Sequence, residues 1–108
     1  MSVDPTRLTA EALGEDLETV RDLVAEVLMV DRDKLGEDSR LVLDLGAESI
    51  DFLDLVFRVE DAVGHRVPVE RWEAYVRERA EASMIDPREL ITIQFVAGFL
   101  NQERQGGG

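Results

Sequence analysis

The chain has 108 residues, room for one domain and one modest core, and its 44% hydrophobic share is that of an ordinary globular protein, which argues against global disorder. A formal net charge of -12 excludes nucleic acid and anionic membrane surfaces as partners, since both require a basic footprint, and favours a basic protein surface instead. The absence of cysteine excludes a disulfide framework, a thiolate metal site and a cysteine nucleophile.

The start, Met1-Ser2-Val3-Asp4-Pro5, lacks the basic and apolar regions of a signal peptide. No apolar run approaches the ~20 residues needed to span a bilayer. A soluble, cytoplasmic protein without stable membrane insertion is expected. Asp4-Pro5-Thr6-Arg7 can open a short helix that Gly14 closes, so residues 1–14 read as an N-terminal extension.

Residues 15–30 are patterned as a helix. Leu17, Val20, Val24, Val27 and Leu28 share one face, and Glu18, Arg21, Asp22 and Glu26 lie elsewhere. The like-charged pair Glu18-Asp22 is slightly unfavourable and is partly offset by Glu18-Arg21. A long connection follows over residues 31–48, with Leu35, Leu41, Val42, Leu43 and Leu45 as apolar anchors, so it should pack rather than float.

That connection delivers the stretch on which the chain turns, Asp44-Leu45-Gly46-Ala47-Glu48-Ser49-Ile50-Asp51-Phe52-Leu53-Asp54-Leu55. Gly46 permits a sharp turn. Ser49 stands at the N-cap position of a second helix, and Asp51 complements the positive end of its dipole. This helix should run to about Val63 and stop at Gly64. Ile50, Leu53, Val56, Phe57 and Val63 are expected to face the core. Asp51, Asp54, Glu60 and Asp61 form an acidic outer face relieved only by Arg58.

His65, the only histidine, lies in the loop Gly64-His65-Arg66-Val67-Pro68 and reads as solvated. No serine-histidine-acid arrangement is suggested, so Ser49 reads as a passive acceptor of chemistry done by others. Residues 69–82 form a third helix with the stripe Val69, Trp72, Val76 and Ala80, Trp72 being a core anchor. Glu73-Arg77 and Arg77-Glu81 are opposite-charge pairs at helical spacing.

Asp86-Pro87-Arg88-Glu89 combines an aspartate cap, a proline at the first position and a glutamate three after the cap, which predicts a last helix from there to about Gln102. Leu90, Ile93, Ala97 and Leu100 make one stripe, and Ile91, Phe95 and Phe99 a second. Gly98 permits a close crossing. Residues 103–108 read as a frayed tail. No hairpin signal and no internal repeat is present.

The string Asp44-Leu45-Gly46-Ala47-Glu48-Ser49-Ile50-Asp51 resembles the modification motif of acyl carrier proteins, Asp-Leu-Gly-x-Asp-Ser-Leu-Asp, whose serine carries 4'-phosphopantetheine. Glu48 and Ile50 depart from it, and both keep charge sign or bulk. The likeness runs from about Glu15 to Gln102. Val67-Pro68 matches the apolar-proline pair after the family's second helix, and Ile91-Thr92-Ile93-Gln94 is similar to the threonine-rich approach to its last helix. The longer third helix and the text Ile50-Asp51-Phe52-Leu53-Asp54-Leu55-Val56-Phe57, followed by Val67-Pro68-Val69-Glu70-Arg71-Trp72, resemble a specialised subgroup that supplies very-long-chain hydroxylated acyl groups for lipid A in some Gram-negative bacteria.

The resemblance implies an all-α, four-helix bundle of the acyl carrier protein type with an extended third helix, the carrier domain occupying residues 15–103 and the tail 104–108. It implies a non-enzyme that holds acyl thioesters on phosphopantetheine attached to Ser49. A phosphopantetheinyl transferase, ketosynthases and acyltransferases are the implied partners, meeting a monomer through Asp44, Glu48, Ile50, Asp51, Asp54, Glu60 and Asp61. Leu53, Phe57, Trp72 and Val76 are expected to line a space for the acyl chain, with the third helix moving to admit a long one. Two other readings stay open: a polyketide or peptidyl carrier, and an unmodified acidic helical adaptor in which Ser49 is only a cap.

Overall fold

The computed structural model describes residues 5–106, with side chains from residue 14 onward; Met1 to Asp4 and the last two glycines lie outside the described residues. Helix α1 runs unbroken over Pro5–Leu28. Gly14 therefore does not close a short N-terminal helix as its placement suggested: glycine in a helix interior costs about 1 kcal/mol but terminates nothing unless its backbone turns left-handed. The left-handed turn comes at Met29, with φ 56°. There the Val30 N–H reaches back to the Ala25 carbonyl at 3.1 Å and closes the helix.

The connection from α1 is stitched down rather than loose. A short 3-10 turn, Arg32–Lys34, lets Arg32 pair with both Glu18 and Asp22. One guanidinium thus neutralises the like-charged pair on α1. Leu35 and Leu41 are buried as anchors, whereas Leu43, also expected to anchor, is 45% exposed. Leu41 N–H donates to the Ile91 carbonyl at 3.0 Å, and the Ile93 and Gln94 N–H groups donate to Ser39 and Glu37 carbonyls at 3.1 and 3.0 Å.

Those three bonds explain the main departure from the expected last helix. Instead of one helix from Asp86, a four-residue helix α4, Pro87–Leu90, is followed by a break and then by α5, Ile93–Gly106. The capping at Asp86 is as expected, its carboxylate accepting the Arg88 N–H at 2.8 Å. Ile91 is extended, and Thr92 forms an isolated bridge with Arg40. The loop claims the backbone groups that a continuous helix needs for itself. Thr92 Oγ1 then accepts the Phe95 N–H at 3.1 Å and starts α5.

Helix α2, Ser49–Val63, ends at Gly64 with φ 79°. Helix α3, Val69–Ser83, follows Pro68 and ends at a left-handed Met84. α1 packs along α5, and Val20, Val24, Leu41, Val59, Ile93, Phe99 and Leu100 are wholly or almost wholly buried between the helices. Trp72 anchors α3 in a cluster of rings: Phe52 stacks on it at 5.9 Å, and Phe95 and Phe99 meet it edge-on at 5.9 and 5.2 Å. Tyr75, outside the stripe read from the sequence, is buried in the same cluster, and burial raises its phenol pKa. Gly98 is the close crossing anticipated, since a Cβ there would lie 2.8 Å from Tyr75 Oη.

The tail is not frayed at Glu103. That side chain is only 3% exposed, and its Oε1 receives Arg71 Nη1 at 2.6 Å and lies 3.2 Å from His65 Nε2. His65 is accordingly half-buried rather than solvated. Arg104, which the sequence placed in the tail, donates to the buried Asp16 at 2.8 Å, and Asn101 adds a bond at 3.1 Å. Two buried carboxylates thus fasten the end of α5, each with its charge met by arginine. The result is an all-α bundle with an extended third helix and, among the described residues, no strand.

Candidate functional site: the start of the second helix

Gly46, with φ 74°, turns the loop just before α2, and the Ala47 N–H donates to the Leu41 carbonyl at 2.8 Å. Ala47 is buried, so the chain is pinned two residues ahead of Ser49. The N-cap is Glu48, not Ser49: Glu48 is extended, Ser49 is the first helical residue, and Asp51 Oδ2 accepts the Glu48 N–H at 2.8 Å. With capping left to its neighbours, the Ser49 side chain is exposed and makes no side-chain hydrogen bond among the described residues. It is a hydroxyl with no structural duty, set where the positive end of a fifteen-residue helix favours an anionic substituent.

The carboxylates expected around it divide by what holds them. Arg40 grips Asp44 through Nη2 at 2.9 Å, Nε at 3.2 Å and its own backbone N–H at 2.9 Å. Those bonds hold the Asp44 carboxyl below the usual carboxylate range and raise the arginine. Asp51 serves the helix start. Asp54 receives Arg58 Nε at 3.2 Å, while Arg58 also pairs with Glu26 of α1. Glu60 turns inward and accepts the Val67 N–H at 2.7 Å, which ties down the loop to α3. Glu48 and Asp61 are exposed.

The apolar residues of α2 fall on two faces, and the expected core face is only half correct. Val56 is buried and Val63 packs against the core, but Ile50, Leu53 and Phe57 are 69%, 43% and 63% exposed. The buried stripe is Leu55, Val56 and Val59, with Phe52 partly buried beside them where it stacks on Trp72. Phe52 was passed over in the sequence, although its spacing to Leu55, Val56 and Val59 is the helical one. The exposed stripe lies beside Asp54 and Asp61, so the outer face is both acidic and greasy.

Openings flank this helix. One of about 320 Å³ is lined by Ser49, Phe52, Leu53, Val69, Trp72 and Glu73. A second, about 530 Å³, lies over Leu53, Phe57, Val67 and Val69. Trp72 and Val76 line a third, against α4. The four residues expected to line one acyl space are therefore not gathered in one cavity. Nothing in the sequence signalled the buried Asp16 and Glu103, since each looks like any other helix-surface acid.

Fold and site together define a carrier of a covalent arm. The family described as the phosphopantetheine attachment site matches residues 18–74, more than half of the chain and inclusive of Ser49. Acyl carrier protein AcpXL of Brucella melitensis is 38% identical over 66 residues, covering 61% of this chain and 71% of that one. Its namesakes in Rhizobium meliloti and Mesorhizobium japonicum are 39% identical over 59 residues, covering 55% of this chain and 62% of the relative, and 34% over 66 residues, covering 61% and 71%. The chain belongs to the acyl carrier protein family.

Its cofactor is 4'-phosphopantetheine, and the family is one of carriers rather than catalysts. Such carriers work with a phosphopantetheinyl transferase and with acyl-handling enzymes. No helix among the described residues is long and apolar enough to cross a membrane.

Proposed function

We propose that Ser49 is the attachment point and that the protein carries long or unusual acyl chains for lipid biosynthesis, those of lipid A being the nearest match, without catalysing any step itself. The observation that carries this reading is the idle Ser49 hydroxyl. It is exposed at the first position of α2, beside an opening of about 320 Å³, while Glu48 and Asp51 do the capping. The fit to the arm is good. A phosphodiester on Ser49 meets the helix terminus, and the opening under Leu53, Val69 and Trp72 offers apolar shelter. The arm supplies a terminal thiol that holds acyl groups as thioesters.

This chain's own part is to present, shelter and dock. Glu48, Ile50, Asp54 and Asp61, with Leu53 and Phe57 between them, form the face that meets basic patches on the transferase, on ketosynthases and on acyltransferases. Charge there speeds encounter, and the exposed apolar side chains supply contact once docked. Asp44, Asp51 and Glu60 act chiefly by holding that face in shape. The protein works as a cytoplasmic monomer, and its carrier unit includes α5 through Arg104, which reaches Asp16 on α1. The relatives named AcpXL support the long-chain assignment, as does the fifteen-residue α3.

Incubation with coenzyme A and a promiscuous transferase, followed by intact mass, tests the carrier role. A gain of one arm supports it. An unchanged mass in a folded protein overturns it in favour of an acidic helical adaptor.

A further inference from the structure

We infer that Glu103 is a positioning residue that pins the first turn of α3, so that α3 yields to a tethered acyl chain by its C-terminal half; this rests on the carrier role proposed above. One buried oxygen of α5 does the pinning. Glu103 Oε1 receives Arg71 Nη1 at 2.6 Å from the first turn of α3 and lies 3.2 Å from His65 Nε2 in the loop before it. From α2, the Glu60 carboxylate accepts the Val67 N–H of that loop at 2.7 Å. Residues 65–71 are thus held from two helices at once. At 3% exposure, Glu103 cannot part from Arg71 and His65 without leaving a carboxylate uncompensated inside the bundle, which is strongly unfavourable.

The other end of α3 has no such tie. Among the described residues, Arg71 makes the only ion pair that joins α3 to another helix. Arg77, Glu78 and Glu81 are exposed, and the Ser83 hydroxyl turns back to the Arg79 carbonyl of its own helix at 2.7 Å. Arg79 Nη2 reaches Gln102 at 3.2 Å, but that bond is exposed and exchanges for water at little cost. A groove of about 520 Å³, floored by Val76, Ala80, Pro87 and Ile91, separates this half of α3 from α4. Trp72 and Tyr75 seat the middle of α3 on Phe95 and Phe99 at 5.0 to 5.9 Å, and apolar burial fixes area more than angle. A rod pinned at one end on an apolar bed tilts. Arg71 to Ser83 spans about 18 Å at 1.5 Å per residue, so a tilt of about 10° moves the far end about 3 Å and the first turn hardly at all.

The chain has no cysteine, so paired substitutions can be spin-labelled uniquely before loading. One pair, Glu15→Cys with Glu70→Cys, spans α1 and the first turn of α3; the other, Glu15→Cys with Glu81→Cys, spans α1 and the far end. Each full chain is loaded by a transferase from coenzyme A thioesters of a short and a very long saturated acid, and intact mass reads the loading. From the short to the long chain, the distance to position 81 is expected to change by about 3 Å and that to position 70 to hold. In Arg71→Met and in Glu103→Gln the distance to position 70 is expected to become as sensitive to chain length as that to position 81, whereas Arg71→Lys is expected to keep the parent pattern. Failure to load overturns the carrier reading and this one together. Full loading with both distances indifferent to chain length, or with position 70 moving as far as position 81 in the parent, overturns this inference alone. A position 70 that stays fixed in Arg71→Met does the same. If Glu103→Gln fails to fold, Arg71→Met decides, since that side chain is 45% exposed.

Discussion

Ser49 was legible in the sequence as a functional residue for the wrong local reason. A serine ahead of an amphipathic helix reads as an N-cap, yet Glu48 takes that place and Asp51 Oδ2 receives its N–H at 2.8 Å. One residue of offset frees the hydroxyl, and boundary positions of this kind are where pattern reading is weakest. Ser49→Ala should therefore cost less than the ~1 kcal/mol of a lost cap, with the melting temperature nearly unchanged. A large loss of stability contradicts this account of the helix start. Gly98 makes the opposite case. Its Cβ-free backbone admits Tyr75 Oη, so Gly98→Ala should destabilise by about 1 to 3 kcal/mol through overpacking, measured by chemical denaturation. A neutral outcome means that Tyr75 moves aside freely.

At the scale of elements, helices were read more reliably than their faces. The third helix and the long loop were visible from period and punctuation, because both rest on local signals such as Pro68, Gly46 and Gly64. The buried face of α2 was not, since apolar residues surround most of that helix and only packing against Trp72 and α5 selects Phe52, Leu55 and Val59. The break at Ile91 was hidden for a related reason: it is imposed by backbone bonds to Ser39 and Leu41, which are far from α4 along the chain and beside it in space. Local propensity carries no trace of such partners.

Two predictions belong to these elements. Asp54→Lys with Asp61→Lys should slow loading by a transferase and weaken its salt dependence, while stability changes by about 0.5 kcal/mol or less, because exposed charges govern encounter more than folding. Equally fast and equally salt-dependent loading removes the docking role of that face. The loop over Arg40 and Asp44 should be acid-sensitive. Asp44 has its folded pKa depressed by Arg40, so its contribution is present at neutral pH and is lost as pH falls through that lowered value, below the ordinary carboxylate range near ~4. Asp44→Asn should flatten this part of the decline in melting temperature below about pH 4. Parallel profiles for variant and parent contradict the assignment.

For the molecule as a whole, the all-α bundle followed from apolar periodicity, but the fasteners at its ends did not. Asp16 with Arg104 joins opposite ends of the chain, and Glu103 with Arg71 and His65 joins its end to the start of α3 and the loop before it. Their sequence signature is that of ordinary surface charges. These pairs hold α5 against α1 and α3, and the rings around Trp72 fill the space between, which leaves the start of α2 as the place where an exposed hydroxyl meets an apolar opening. The central claim is that this hydroxyl carries the arm. Peptide-level mass spectrometry after loading with coenzyme A and a transferase tests it most directly. The arm is predicted on the peptide containing Ser49 and nowhere else, with no mass gain in folded Ser49→Ala; an arm found on Ser39 or Ser83, or retained in the alanine variant, contradicts it.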